Sequence, residues 1–151
     1  MGLDMYLTTN SRVLAQKIAD NDPYIKGDEF EYRWCVKNGE IGYWRKFSAL
    51  HNWFVTKIQG GTDDGGTYEV DVDDLRNLYK DICESIETKD ADKFPPVEGF
   101  FFNPADYMEY HWAQMKRTKT FLELLFSLID EDGYAIGDEG WTLRFYYYSS
   151  W

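Results

Sequence analysis

The sequence is poor in cysteine, histidine and proline: two, two and four residues among 151. Cys35 and Cys83 lie far apart and form no CxxC pair. That argues against a disulfide framework and fits reduced thiols in a cytoplasmic setting. His51 and His111 have no His or Cys at helical spacing, and HExxH is absent, so no metal site is expected. There is no GxxxxGK[ST] and no GxGxxG between a strand and a helix, so neither phosphate cradle nor dinucleotide cofactor is expected. No apolar run reaches the length of a membrane span. The start, MGLDMYLTTN, has no basic segment or long apolar core, which argues against a secretory leader, and Tyr6 stands where a myristoylation signal wants Ser or Thr. Positive charge is also scarce: 16 Lys and Arg against 27 Asp and Glu leave a net −11. Such a chain repels nucleic acid at long range and suits a basic protein surface instead, although acidic exteriors commonly serve solubility alone.

Aromatics are abundant, 6 Trp, 12 Tyr and 10 Phe making up 19% of the chain. They bury large areas with few rotatable bonds, which suits a small core and equally a surface that grips a flat ligand. The length predicts one domain, 1–151, and no linker or repeat divides it. Leu3, Met5 and Leu7 alternate with Asp4, Tyr6 and Thr8 as in a half-buried strand. Asn10 or Ser11 can cap a short helix that Asp22-Pro23 ends. FEYRWCVK alternates Phe30, Tyr32, Trp34 and Val36 against Glu31, Arg33, Cys35 and Lys37. Asn38-Gly39 follows, a two-residue turn signal, so a 30–44 hairpin is predicted with Val36 facing Ile41 and Trp34 facing Tyr43.

Phe47, Leu50, Phe54 and Ile58 recur at helical steps, and Gly60-Gly61 stops that helix. TYEV is a brief strand. Asp71 caps the next helix, with Asp74 at its third position and Val72, Leu75, Tyr79, Ile82 and Ile86 inward. A loop with Pro95-Pro96 follows, and Phe100–Phe102 reads either as a short buried strand or as a packed loop. Asn103-Pro104 then opens the longest helix, its inward face being Tyr107, His111, Met115, Thr118, Leu122, Leu125 and Ile129. The end alternates Trp141, Leu143, Phe145 and Tyr147 against Thr142, Arg144, Tyr146 and Tyr148. The expected fold class is α+β: a small antiparallel sheet joining the N- and C-terminal strands and the hairpin, with three to four helices packed on it.

Local catalytic signatures are missing. Ser149 and Ser150 have no Gly-x-Ser-x-Gly elbow, and Cys35 shares only the Arg33 face of the expected hairpin, where charge can lower a thiol pKa. IDEDGYAIGDEG approaches a calcium loop, but its first place holds Leu128 instead of a carboxylate. The densest chemistry is YWRKFSALHNWF. Arg45 stands at a strand-to-helix junction, where the helix dipole favours an anion, and Trp44 offers a stacking plate. His51 lies at the edge of the apolar face, where a hydrogen-bonded core imidazole is the commoner role; Asn52 is adjacent. Tyr107, Tyr110 and His111 come early on the long helix, and Arg144, Tyr146 and Tyr148 line one face of the last strand. Meeting in one hollow, these residues would form an aromatic pocket with two guanidinium groups, suited to a small anionic, nucleotide-like ligand.

MGLDMYL, YWRKxxxLHNWF, GFFF followed by DYxEY, and the terminal YYYSSW together resemble a family of small proteins encoded by phages, prophages and bacterial genomes. The resemblance implies no activity, cofactor or catalytic residue. It implies a phage-type accessory protein, a class often directed against a host defence or host enzyme. Two binding functions are expected from different features: first, a binder of a nucleotide-like ligand, from the Arg and aromatic interleaving, and as the alternative an acidic inhibitor that mimics nucleic acid on a basic host protein. A hydrolase or transferase with His51 or His111 as base ranks behind both.

Overall fold

The structure, a computed structural model, describes residues 2–95 and 104–151, with side chains from 107 onward in the second stretch. The second half of the Pro95-Pro96 pair, the Phe100–Phe102 segment and the Asn103 cap lie outside the described residues. Four strands, β1 (Asp4–Thr9), β2 (Glu40–Arg45), β3 (Tyr68–Val70) and β4 (Phe145–Ser150), form one antiparallel sheet in the order β2-β1-β4-β3. Six helices accompany it among the described residues, more than the three or four expected: α1 (Arg12–Asn21), α2 (Pro23–Lys26), α3 (Glu29–Asn38), α4 (Ser48–Lys57), α5 (Val72–Thr88) and α6 (Pro104–Ser127). The fold is α+β, and the first and last strands pair at the centre of the sheet, as their patterns suggest. Each needs a partner for its backbone groups, and each finds one in the other.

Alternation sorts the sheet into two faces. Met5, Leu7, Val70, Phe145 and Tyr147 are buried against the helices, whereas Tyr6, Tyr43 and Tyr148 stand on the other face in one cross-strand row. Tyr6 stacks on Tyr148 with ring centroids 4.7 Å apart and lies 5.4 Å from Tyr43. The long helix buries every residue of its anticipated stripe, from Tyr107 through His111, Met115 and Thr118 to Ile129 just beyond its end. α5 starts where expected, the Asp71 carboxylate accepting from the Asp74 N–H and Asp74 from that of Asp71. Such reciprocal capping satisfies two of the four orphan donors at a helix start.

One element differs in kind. Residues 29–38 form a helix, so the first arm of the expected hairpin is absent and β2 pairs with β1 instead. The caps explain the outcome. The Asp28 carboxylate accepts from the N–H groups of Phe30 and Glu31, and Glu29 and Glu31 add favourable charge to the first turn. Asn38-Gly39 ends this helix: Gly39 takes the left-handed conformation, φ 69°, of a C-terminal cap. A Cβ there would sit 2.3 Å from the Thr9 carbonyl oxygen, so only glycine fits. The alternating pattern is read at a different period. Cys35 turns to the core, with Tyr32 and Val36 beside it, while Phe30 and Trp34, one turn apart, stack outward with centroids 5.8 Å apart.

Asp22-Pro23 also does more than end α1. The Asp22 carboxylate accepts from the Tyr24 N–H and opens α2 with Pro at its first turn. No described helix is long and apolar enough to cross a membrane.

Candidate functional site

The strand registers decide the fate of the two-guanidinium pocket. Asp4 faces Arg45 across β1–β2, and Thr9 faces Phe145, the neighbour of Arg144, across β1–β4. Arg144 lies one residue beyond Phe145, so six steps of strand at about 3.3 Å each, and two strand spacings of about 4.8 Å, put the two arginines at opposite ends of the sheet, roughly 22 Å apart. Arg144 there pairs with Glu69, Nη1 to Oε1 at 3.1 Å, and its N–H donates to Asn10 Oδ1. Arg45 is exposed, its carbonyl accepting from the Tyr110 hydroxyl. The two cannot hold one phosphate between them.

The remaining expected residues also divide. Trp44 is core: its indole N–H donates to Thr118 Oγ1 at 2.9 Å and its ring meets Phe121 edge-on. Tyr107 is buried, its hydroxyl 3.4 Å from that of Ser48. Asn52 is exposed on α4 and borders a shallow groove with Trp53 and Asp81. Tyr146 is half-buried on β4 between Thr8 and Glu69.

His51 is the hub of a buried relay. Its Nδ1 lies 2.6 Å from the Tyr147 hydroxyl and its Nε2 3.0 Å from Asp63 Oδ2. The neutral tautomer with the proton on Nε2 satisfies the set: the imidazole donates to Asp63 and the phenol donates to Nδ1. Tyr147 stacks on Phe54, centroids 3.9 Å apart and nearly parallel, and Trp151 meets His51 edge-on at 5.2 Å. Burial and the Asp63 charge push the Tyr147 pKa up, so its proton stays in place. Both imidazole nitrogens are engaged, which leaves no lone pair facing a substrate. The relay locks α4, the 59–67 loop and β4 together.

His111 is fully buried with neither nitrogen hydrogen-bonded, and Phe47 and Trp112 meet its ring edge-on. Burial alone lowers its pKa to about 4, so it is neutral at physiological pH. Cys35 is likewise buried, its thiol near the Ala15 carbonyl, and burial pushes its pKa up to about 12. Arg33 pairs with Glu29 on the exposed side of α3, so the electropositive thiol expected from the hairpin reading does not form. The 130–139 stretch is a set of turns in which Asp130 Oδ1 accepts from the Asp132 and Tyr134 N–H groups. Among the described residues no cluster of His, Cys, Asp or Glu is arranged to hold a metal.

A different site emerges where the outer sheet face meets α3. A cleft of about 380 Å³ has Phe30 and Trp34 on one wall and Tyr6, Tyr43 and Tyr148 on the other, with Glu31 and Glu40 beside them. Among the described residues no Lys or Arg lines it. Phe30 is 67% and Trp34 42% exposed, large apolar surfaces that the packing of α3 leaves in solvent. Glu40 is the opposite case: it is only 5% exposed, and its Oε1 has no hydrogen-bond partner. Burial, then repulsion from Glu31, raises the Glu40 pKa to about 7, against which a hydrogen bond from the Trp34 indole works. Glu31 is pushed upward too, by burial and Asp28, with Arg117 opposing. The Tyr43 hydroxyl donates to Asp4 Oδ1 at 2.6 Å, adding a third carboxylate at the rim.

Of the residues expected from sequence, Tyr148 alone belongs to this cleft. Phe30, Glu31 and Trp34 are obscured in sequence by the alternating pattern of their segment, whereas Tyr6, Glu40 and Tyr43 reach them only through tertiary packing. The available signal was Asp28 before and Gly39 after the segment, which place Phe30 and Trp34 on one helical face. No family model matches the chain, and no curated protein or solved structure matches it.

Proposed function

We propose that the chain is a non-enzymatic binding protein that engages a positively charged protein, in keeping with a phage-type accessory protein acting on a host factor. The observation that carries this reading is the chemistry of the cleft: exposed aromatic rings beside carboxylates, with no cation among its described lining residues. Aromatic faces and carboxylates both attract cations, and both repel the phosphates of a nucleotide. The net charge of −11 extends the same preference over the whole surface.

Much of the acid is used twice. Asp71 and Asp74 cap α5, Asp28 caps α3, and Asp64 accepts from Tyr68 and the Gly66 N–H. Hydrogen bonds from Tyr68 and the Gly66 N–H hold Asp64 below the usual carboxylate range, so it remains charged while it shapes the turn. A surface of this kind competes with nucleic acid for a basic groove. The dispersal of Arg45 and Arg144 favours this reading over the nucleotide-like ligand.

The test is affinity capture on the immobilised protein from a bacterial lysate at roughly 50 mM and roughly 200 mM salt, where charge-driven binding weakens steeply. The expected result is a discrete basic, nucleic-acid-handling protein that is retained at low salt, released at the higher concentration and displaced by duplex DNA. Recovery of no such protein at low salt would overturn the proposal.

A further inference from the structure

We propose that the cleft between α3 and the outer sheet face receives an arginine side chain of the partner protein, its guanidinium lying against the Phe30 and Trp34 rings and pairing with Glu40. The inference rests on the reading above and names the contact within it. Three independent observations converge. Glu40 is nine-tenths or more buried, yet one carboxylate oxygen has no partner. A buried carboxylate oxygen without a donor is costly, and a donor brought by a ligand removes that cost. Phe30 and Trp34 are held parallel within 14° on the solvent side of the helix, giving an exposed apolar plate. Among the described residues the lining contains two carboxylates, four hydroxyl-bearing side chains and no cation, so the charge it complements is positive.

Arginine fits better than lysine. Its guanidinium is planar, stacks on aromatic faces, and offers a fork of donors that a carboxylate accepts in pairs. The protein displays the same chemistry internally: Arg117 lies 4.3 Å over the Tyr24 ring while its Nη2 donates to the Tyr43 carbonyl. A lysine ammonium would satisfy the charge but leave the flat plate unused. Burial has raised the proton affinity of Glu40, so an arriving cation displaces a proton and binding tightens as pH rises through about 7. The titratable groups around Glu40 are Glu31 and Cys35 from α3 and the Tyr6, Tyr43 and Tyr148 hydroxyls of the sheet, with Asp22, Tyr24 and Arg117 across the adjoining hollow of about 40 Å³.

The experiment titrates three short peptides of one Gly-Ser frame, carrying arginine, lysine or citrulline, against the intact protein. The indole N–H resonance of Trp34 is followed by NMR. The expected result is a saturable shift with the arginine peptide, about tenfold weaker binding of the lysine peptide and none of neutral citrulline. Glu40→Gln and Phe30→Ala should each weaken arginine binding about tenfold or more, with unchanged circular dichroism confirming the fold. Equal binding of lysine or citrulline, or arginine binding indifferent to Glu40→Gln, would overturn the assignment. A basic partner captured equally by wild type and both variants would refute the cleft while leaving the proposed function standing. Arginine binding with no partner captured would do the reverse.

Discussion

Replacing Glu40 by Gln removes a charge from a place where burial disfavours it. The folded protein holds the Glu40 proton up to about pH 7, whereas a free glutamate releases it near its ordinary 4.5. Folding therefore takes up a proton between those limits. The stability associated with that proton is intact below about pH 4.5 and is lost as pH rises to about 7. One pKa unit corresponds to about 1.4 kcal/mol, so the ionised side chain costs the fold up to about 3 kcal/mol above neutrality. Gln keeps the shape and can accept from the Trp34 indole, but its amide N–H groups also need partners, which reduces the gain. The expected outcome is that Glu40→Gln is near neutral at about pH 5 and stabilising by about 1–3 kcal/mol at about pH 8. Urea unfolding of both proteins at the two pH values, followed by tryptophan fluorescence, measures the difference directly. Subtracting wild type from variant cancels the self-repulsion of the other carboxylates. A difference that does not grow with pH would refute the account of Glu40 as a buried, under-paired carboxylate.

Four further outcomes are expected. Gly39→Ala should destabilise by about 2 kcal/mol or more in urea unfolding, because its methyl meets the Thr9 carbonyl at a left-handed φ. Tyr147→Phe leaves His51 Nδ1 without its buried partner and should cost about 1–3 kcal/mol by the same assay. Cys35 should resist a thiol reagent in the native protein and react at once in urea, since burial keeps it protonated; mass spectrometry of the labelled peptides separates it from Cys83. Arg144→Ala should change stability by less than about 1 kcal/mol, because its pair with Glu69 is solvent-exposed. A larger loss in that last case would show that Arg144 does more than close the β3 edge.

The parts of the fold legible in sequence were those where one period had no competitor. Leu3, Met5 and Leu7 alternate and the helix cap at Ser11 comes only after them, so β1 is where the pattern puts it. The Tyr107-to-Ile129 stripe runs through too many turns for any strand reading. Residues 30–37 were ambiguous because alternating large side chains also satisfy a helix with aromatics one turn apart, and Asn-Gly serves a hairpin and a helix end alike. The flanking cap at Asp28 decided between them. The candidate site suffered most from that ambiguity. Single residues such as His51 were recognisable as hydrogen-bonded core, but the partners Asp63 and Tyr147 come from distant segments. Which arginines share a hollow depends on strand register, and no local pattern encodes that.

The pairing of β1 with β4 has a consequence for the nascent chain. Residues 4–9 leave the ribosome long before residues 145–150 exist. At the usual 5–20 residues per second, the first strand waits roughly seven to thirty seconds for its second neighbour. In that interval it has β2 at most on one side, and its other edge presents open backbone groups to any passing strand. Yield during synthesis should therefore depend on chaperone supply more than the finished protein's stability would suggest.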